Sequence, residues 1–451
     1  MTQLKPDVLA RYGEQQIPRY TSYPTAPNFR PLEEEHYRDW LREVDTAAPL
    51  SLYVHVPFCR SMCWYCGCNT TISARHAPIS RYLAALTAEL ALVATALPSR
   101  MRVAHLHFGG GTPTMMLPDE FLRLMGQLRE RFDFAPDAEL AIEIDPRTLE
   151  PDMITALAKG GINRASLGVQ SFDPAVQQAI NRVQSFAETE AAVRGLRAAG
   201  IAGLNFDLIY GLPHQTVESC RDTVAQALEL RPDRLAVFGY AHVPSFKPHQ
   251  RKIDSAALPG GAERLAQADA IADALVAAGY VEIGLDHYAL PGDELARAAG
   301  TGALRRNFQG YTTDSCTTLI GLGASSIGRL PSGYVQNRAL IGDYQNAVLE
   351  GHLPAAKGCP ISADDALRAA VIERIMCDHR VDLREVSRPF GAEPAAFADP
   401  LRLEPLQADG LIDLDGDVLT VRPAARPLVR AVAAAFDAYL DPGGGRHARA
   451  V

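Results

Sequence analysis

From residue 51 onward, short β-rich runs alternate with helical patterns. The runs cover residues 52–56, 103–108, 140–144, 164–168, 204–209 and 235–240. Over residues 79–97, Leu83, Leu86, Leu90 and Val93 recur at helical spacing and build one apolar face. Over 262–278, Leu265, Ala268, Ile271 and Leu275 do the same, with Gly279 placed to stop the helix. Six β/α units in succession predict an α/β fold, a parallel sheet with helices outside it. A right-handed crossover repeated this often curls toward a barrel or partial barrel.

Polar and glycine-rich residues collect at the ends of these runs. A cysteine-rich loop follows the first, and Gly109-Gly110-Gly111-Thr112-Pro113-Thr114 follows the second. Glu143 and Asp145 close the third, Gln170 follows the fourth, Asp207 lies late in the fifth, and Ala241-His242 follow the sixth. In barrels of this kind the C-terminal strand ends carry the chemistry. Loops are polar in any protein, but six strand ends converging on one rim outweigh that plainer reading.

The flanks break the pattern. Residues 1–50 read as an N-terminal arm whose proline- and tyrosine-rich segment, residues 18–27, cannot be a helix interior. That segment is a loop over the core or a lid over a site. Residues 51–355 form the barrel with an extension of further β-like runs, and the pattern changes near residues 354–360. Residues 356–451 then predict a smaller, mainly helical domain with a winged-helix look. Ser362 with Asp365 resembles a capping box opening a helix to about Met376. Asp415-Gly416-Asp417 is a hairpin turn, residues 430–440 read as a helix, and 441–451 as a tail.

Composition narrows the classes. The formal charge of −9 argues against non-specific nucleic-acid binding. No apolar stretch reads as long enough to span a bilayer, and the N-terminus has no apolar signal core. We therefore expect a cytoplasmic protein, and, without a sequence signal for the oligomeric state, a monomer. In that reducing compartment clustered cysteines are metal ligands before they are disulfides. Four of the eight cysteines, Cys59, Cys63, Cys66 and Cys68, fall within ten residues. Cys220, Cys316, Cys359 and Cys377 are scattered and read as small buried hydrophobes. His105, His107, His242 and His287 show no paired spacing and are expected to pack or hydrogen-bond. A structural zinc site wants two well-separated cysteine pairs, and this single loop would be cramped. A four-iron cluster suits it better, because neighbouring thiolates can reach different corners; if three ligate, one iron stays open.

The spacing Cys59-x3-Cys63-x2-Cys66, with Tyr65 and the downstream Gly109-Gly110-Gly111-Thr112-Pro113, resembles the radical S-adenosylmethionine (SAM) superfamily. The segments at residues 18–25, 168–172, 181–184, 207–213 and 307–313, together with Cys68, narrow the resemblance to the oxygen-independent coproporphyrinogen III oxidase family. That resemblance implies a partial (βα)6 TIM-like barrel and a [4Fe-4S] cluster held by Cys59, Cys63 and Cys66, with Cys68 outside the ligand set. It implies a first SAM against Tyr53, Gly110, Glu143 and Ile327. It implies a second against Tyr65, Gly111, Thr112, Gln170, Arg182, Asp207 and Ala241. The implied reaction oxidatively decarboxylates two propionates of coproporphyrinogen III to vinyl groups, with a flavodoxin- or ferredoxin-type protein as reductant. A substrate with four carboxylates calls for cations, and Arg19, Arg251, Lys252, Arg305 and Arg306 are the candidates. The competing reading is a haem chaperone-like relative. Those relatives generally lack the N-terminal Arg-Tyr-Thr-Ser-Tyr-Pro-Thr segment and carry an aromatic in place of Cys68.

Overall fold

The computed structural model describes residues 4–440. The six runs form adjacent parallel strands: β1 (Leu50–Val56), β2 (Arg102–Gly110), β3 (Asp133–Ile144), β4 (Arg164–Gln170), β5 (Gly203–Tyr210) and β6 (Arg234–Gly239). Helices Ala77–Ala96, Pro118–Arg131, Pro151–Gly160, Phe186–Ala198, Val217–Glu229 and Gly261–Ala277 follow them in turn. Alternation along each strand assigns its faces. Leu52, Val54, Leu106, Phe108, Leu140, Ile142, Leu204 and Phe206 join the helices in one large core. The intervening Tyr53, His105, His107, Glu143, Ser166 and Asp207 line the barrel interior. Gly279, with φ of +88°, ends the helix before it as expected.

The sheet extends beyond six strands, to thirteen. Leu319–Leu322 adds parallel to β1, and Ile327–Leu330, Gly333–Asn337, Ala355–Pro360 and Arg30–Pro31 continue antiparallel. On the other side, His287–Ala289 and Val281–Ile283 pair antiparallel onto β6. Strand Ala355–Pro360 thus belongs to the barrel sheet, past the expected boundary at 355/356.

Helix Ala77–Ala96 corrects one expectation. Its 20 residues are long and apolar enough, by length and composition, to cross a membrane. It is instead a core helix. Ile79, Tyr82, Leu86, Leu90 and Val93 are buried under the sheet, with the carboxyl of Glu89 wholly buried beside them. A helix covered on much of its circumference carries few charges, which is the composition of a span.

The C-terminal unit follows the capping-box prediction: Ser362 Oγ accepts from the Asp365 amide and opens helix Ala363–Asp378. The hairpin Ile412–Asp415/Val418–Val421 forms, with Arg380–Asp382 as a third strand. The helix expected over 430–440 is only Val429–Ala434. Beyond it, the carbonyls of Ala435 and Asp437 accept from Arg402 rather than from another helical turn. Residues 441–451, expected as a tail, lie outside the described residues. The arm docks here: Val8, Tyr12, Ile17, Tyr20 and Tyr23 share one core with Val371, Ile375, Leu419 and Val432. Cys220 and Cys377 are buried, whereas Cys316, in the loop before Leu319–Leu322, and Cys359, in strand Ala355–Pro360, are only half-buried.

Candidate active site

The cysteine loop leaves β1 through the short strand Phe58–Cys59 and folds over the C-terminal end of the barrel. Hydroxyls and guanidinium groups point at its sulfurs. Thr70 Oγ1 and Thr112 Oγ1 lie 3.2 and 3.5 Å from Cys59 Sγ. Arg182 Nη1 and Arg147 Nη2 lie 3.5 and 3.6 Å from Cys63 Sγ. The Cys68 amide donates to Cys66 Sγ at 3.4 Å. The hydrogen bond between the Cys66 and Cys68 thiols holds Cys66 below and Cys68 above the ordinary thiol range. Among the described residues no three Cys, His, Asp or Glu side chains converge as a single ion requires.

The loop is fastened from both sides. Asn181 Nδ2 donates to Met62 O at 2.8 Å. From the segment after β6, Gln250, His249 and Lys247 donate to the carbonyls of Tyr65, Cys66 and Cys68 at 3.1, 2.7 and 3.2 Å. None of these three was singled out from sequence.

Beneath the loop the barrel encloses a cavity of about 650 Å³. Tyr53, Gly110, Glu143, Asp207 and Ile327 line it, as do Cys68, His55, Asn307–Gln309 and Tyr311. Glu143 accepts from the Gly110 amide at 3.1 Å and from His107 Nε2 at 3.3 Å. Those bonds hold its carboxyl below the usual range although burial opposes them. His55 Nε2 donates to Asn69 O at 3.0 Å, so Nδ1 accepts from the Tyr53 hydroxyl at 3.0 Å. Asp207 is different. Burial first, and Glu143 second, push its carboxyl up to about 6, against bonds from Ser166 and Asn205. The glycines are required sterically. A Cβ on Gly109 would sit 2.8 Å from Glu143 Oε1, and one on Gly111 would sit 2.6 Å from Phe58 O.

Arg182, which reads in isolation as a solvated helix residue, is buried. It pairs with Asp145 at 3.3 Å and donates to Gly168 O at 2.6 Å. Asp145 also holds Arg147 at 2.6 Å. Tyr65, Gly111, Thr112, Gln170 and Arg182 gather around the loop rather than in the large cavity, with Ala241 O accepting from Gln250. Two buried atoms there, Gln170 Oε1 and Arg182 Nε, have no partner among the described residues.

Residues 53–227 match the radical SAM superfamily, and residues 361–428 match the HemN C-terminal domain. The oxygen-independent coproporphyrinogen III oxidase of Bradyrhizobium diazoefficiens is 57% identical over 450 residues, covering 99% of this chain and 100% of that protein. The chain belongs to the oxygen-independent coproporphyrinogen III oxidase family. The protein of that name from Paracoccus denitrificans is 44% identical over 447 residues, with 98% and 99% covered. The solved structure of coproporphyrinogen III oxidase (HemN) from Escherichia coli, described as a radical SAM enzyme, superposes with a TM-score of 0.90. It is 40% identical and covers 94% of this chain and 100% of that one.

A radical SAM protein of this family uses a [4Fe-4S] cluster and SAM. The donor set fits both. Three sulfurs face hydrogen-bond donors, and two orphaned polar atoms lie beside the loop. The five expected substrate cations stand elsewhere. Arg19, Arg251 and Lys252 are exposed, Lys252 over the Trp64 ring. Arg305 is 3.8 Å from Glu373, and Arg306 lies against Asp286 and the Tyr311 ring. None lines the cavity; its cations are Arg164, Arg234 and Lys247. Of the interior polar row, His105 and His107 were expected only to pack or hydrogen-bond and Ser166 was not named, although the alternation in Val103-Ala104-His105-Leu106-His107-Phe108 signals the row.

Proposed function

We propose that this chain converts coproporphyrinogen III to protoporphyrinogen IX without oxygen, turning two propionates into vinyl groups with release of two molecules of carbon dioxide. The carrying observation is end-to-end similarity to the family together with a four-cysteine loop whose Cys68 lines a polar barrel cavity. Bound there, the cluster and SAM would supply one-electron chemistry able to take a hydrogen atom from the propionate β-carbon, and the electron left after carbon dioxide departs would pass to an electron acceptor. The protein's own work is placement and exclusion of water. In this reading Cys59, Cys63 and Cys66 ligate, with Cys68 a neighbour. Tyr53, Gly110, Glu143 and Ile327 hold one SAM, with Glu143 accepting from its ammonium. Tyr65, Gly111, Thr112, Gln170, Arg182, Asp207 and Ala241 hold a second, with Arg182 suited to its carboxylate. No general base is needed, since the carboxylate leaves as carbon dioxide. The reductant is a flavodoxin- or ferredoxin-type protein, and the enzyme works as a cytoplasmic monomer.

The test is anaerobic reconstitution with iron and sulfide, then coproporphyrinogen III, SAM and dithionite, read by mass spectrometry. Vinyl product supports the assignment. SAM cleavage without vinyl product would point to the haem chaperone reading, which the comparisons do not favour.

A further inference from the structure

The cysteine loop has two faces. One, with Cys68, looks into the barrel cavity where SAM and substrate belong. The other backs onto a separate groove of about 640 Å³. Arg60, Arg75, Arg147, Met115 and Leu117 line it, together with Thr114, whose buried hydroxyl has no partner among the described residues. Arg147 is the wall between groove and cluster loop. It lines the groove, and its Nη2 lies 3.6 Å from Cys63 Sγ. One side chain therefore separates the outside from a thiol of the centre.

We infer that this groove is the docking site of an acidic one-electron carrier protein. The inference rests on the oxidase reading, since SAM cleavage consumes single electrons. Three features favour that occupant. Arg60 and Arg75 are exposed, and no acidic side chain lies within salt-bridge distance of either among the described residues. Both are therefore available to an acidic partner. Half-exposed Met115 and exposed Leu117 give an apolar centre rimmed by arginine, the composition of a transient protein interface. Glu150 and Asp152 line the groove as well, so it presents charges of both signs, which fixes how a partner can sit. The step itself is a single electron leaving the carrier and taking the cluster from the 2+ to the 1+ state. No bond or proton changes hands. A flavodoxin hydroquinone anion supplies that electron and becomes the neutral semiquinone.

The experiment uses the cluster-loaded enzyme, its Arg60→Glu/Arg75→Glu variant, and a bacterial flavodoxin as probe. Calorimetry gives the affinity for oxidised flavodoxin at low and high salt, and vinyl formation is followed with reduced flavodoxin or with dithionite. The expected result is binding weakened about tenfold or more with a flattened salt dependence. Flavodoxin-driven turnover falls with it, while dithionite-driven turnover and the cluster spectrum stay unchanged. Unchanged affinity, or equal loss with both reductants, overturns the docking site. The binding measurement does not depend on turnover, so failure of the oxidase reading would show in the dithionite assay alone.

Discussion

At the scale of single residues, Arg182 is the side chain whose environment departs furthest from its sequence context. Its charge is balanced by Asp145, 37 positions away, and the same two nitrogens, Nη1 and Nη2, also reach Cys63 Sγ and Gly168 O. No local periodicity announces such a pair; only the matched motif at residues 181–184 pointed to it. Arg182→Met should destabilise the cluster-free protein by about 3 kcal/mol in urea unfolding, because Asp145 loses one of its two guanidinium partners in a buried setting. Asp207 makes a pH-dependent prediction. Its folded-state value of about 6 lies above the ordinary 3.8. The folded state therefore holds the proton more tightly, and ionisation costs stability as pH rises from about 4 to 6. Asp207→Asn should raise the stability of the cluster-free protein by roughly 1–3 kcal/mol at pH 7.5 and leave it unchanged near pH 3.5. Thermal melts at the two pH values decide it.

At the scale of elements, the segment Lys247–Gln250 acts as a strap across the cysteine loop, with three donors on three carbonyls. Replacing Lys247 and His249 together with alanine should speed loss of iron to a chelator several-fold, with the secondary structure intact by circular dichroism. The cap at Ser362 is an independent case. Ser362→Ala should cost about 1 kcal/mol of unfolding free energy, with no change in SAM cleavage. The six barrel strands were legible because one face of each is uniformly apolar. Strand Ala355–Pro360 was not, because Ala-Ala-Lys-Gly-Cys-Pro near a sheet edge, with no continuous apolar face, carries the composition of a loop. The strap was invisible for another reason. Its contacts are side chain to backbone across 179 to 185 positions, and backbone acceptors leave no mark in a sequence.

At the scale of the whole molecule, the hairpin Arg305–Asn307/Gly310–Thr312 joins the barrel cavity to the C-terminal unit. Tyr311 lines the cavity, its hydroxyl donates to Met376 O at 2.7 Å, and it accepts from the Leu285 amide at 3.1 Å. Tyr311→Phe should loosen that wall, and the ratio of 5′-deoxyadenosine to vinyl product should rise above its wild-type value. An unchanged ratio would confine Tyr311 to a structural role. Sequence pattern showed nothing of this tie, whose bonds from one hydroxyl span 26 and 65 positions to backbone groups, or of the arm's shared core, made by residues hundreds of positions apart. That core has a consequence for synthesis. Val8, Tyr12 and Ile17 pack with Val432 and Phe436, so nearly the whole chain must leave the ribosome before the arm has anywhere to go. At about 5–20 residues per second the wait is roughly 20–85 s. Any product that stops short leaves those apolar side chains permanently exposed, a label by which proteolytic surveillance can tell an unfinished copy from a complete one.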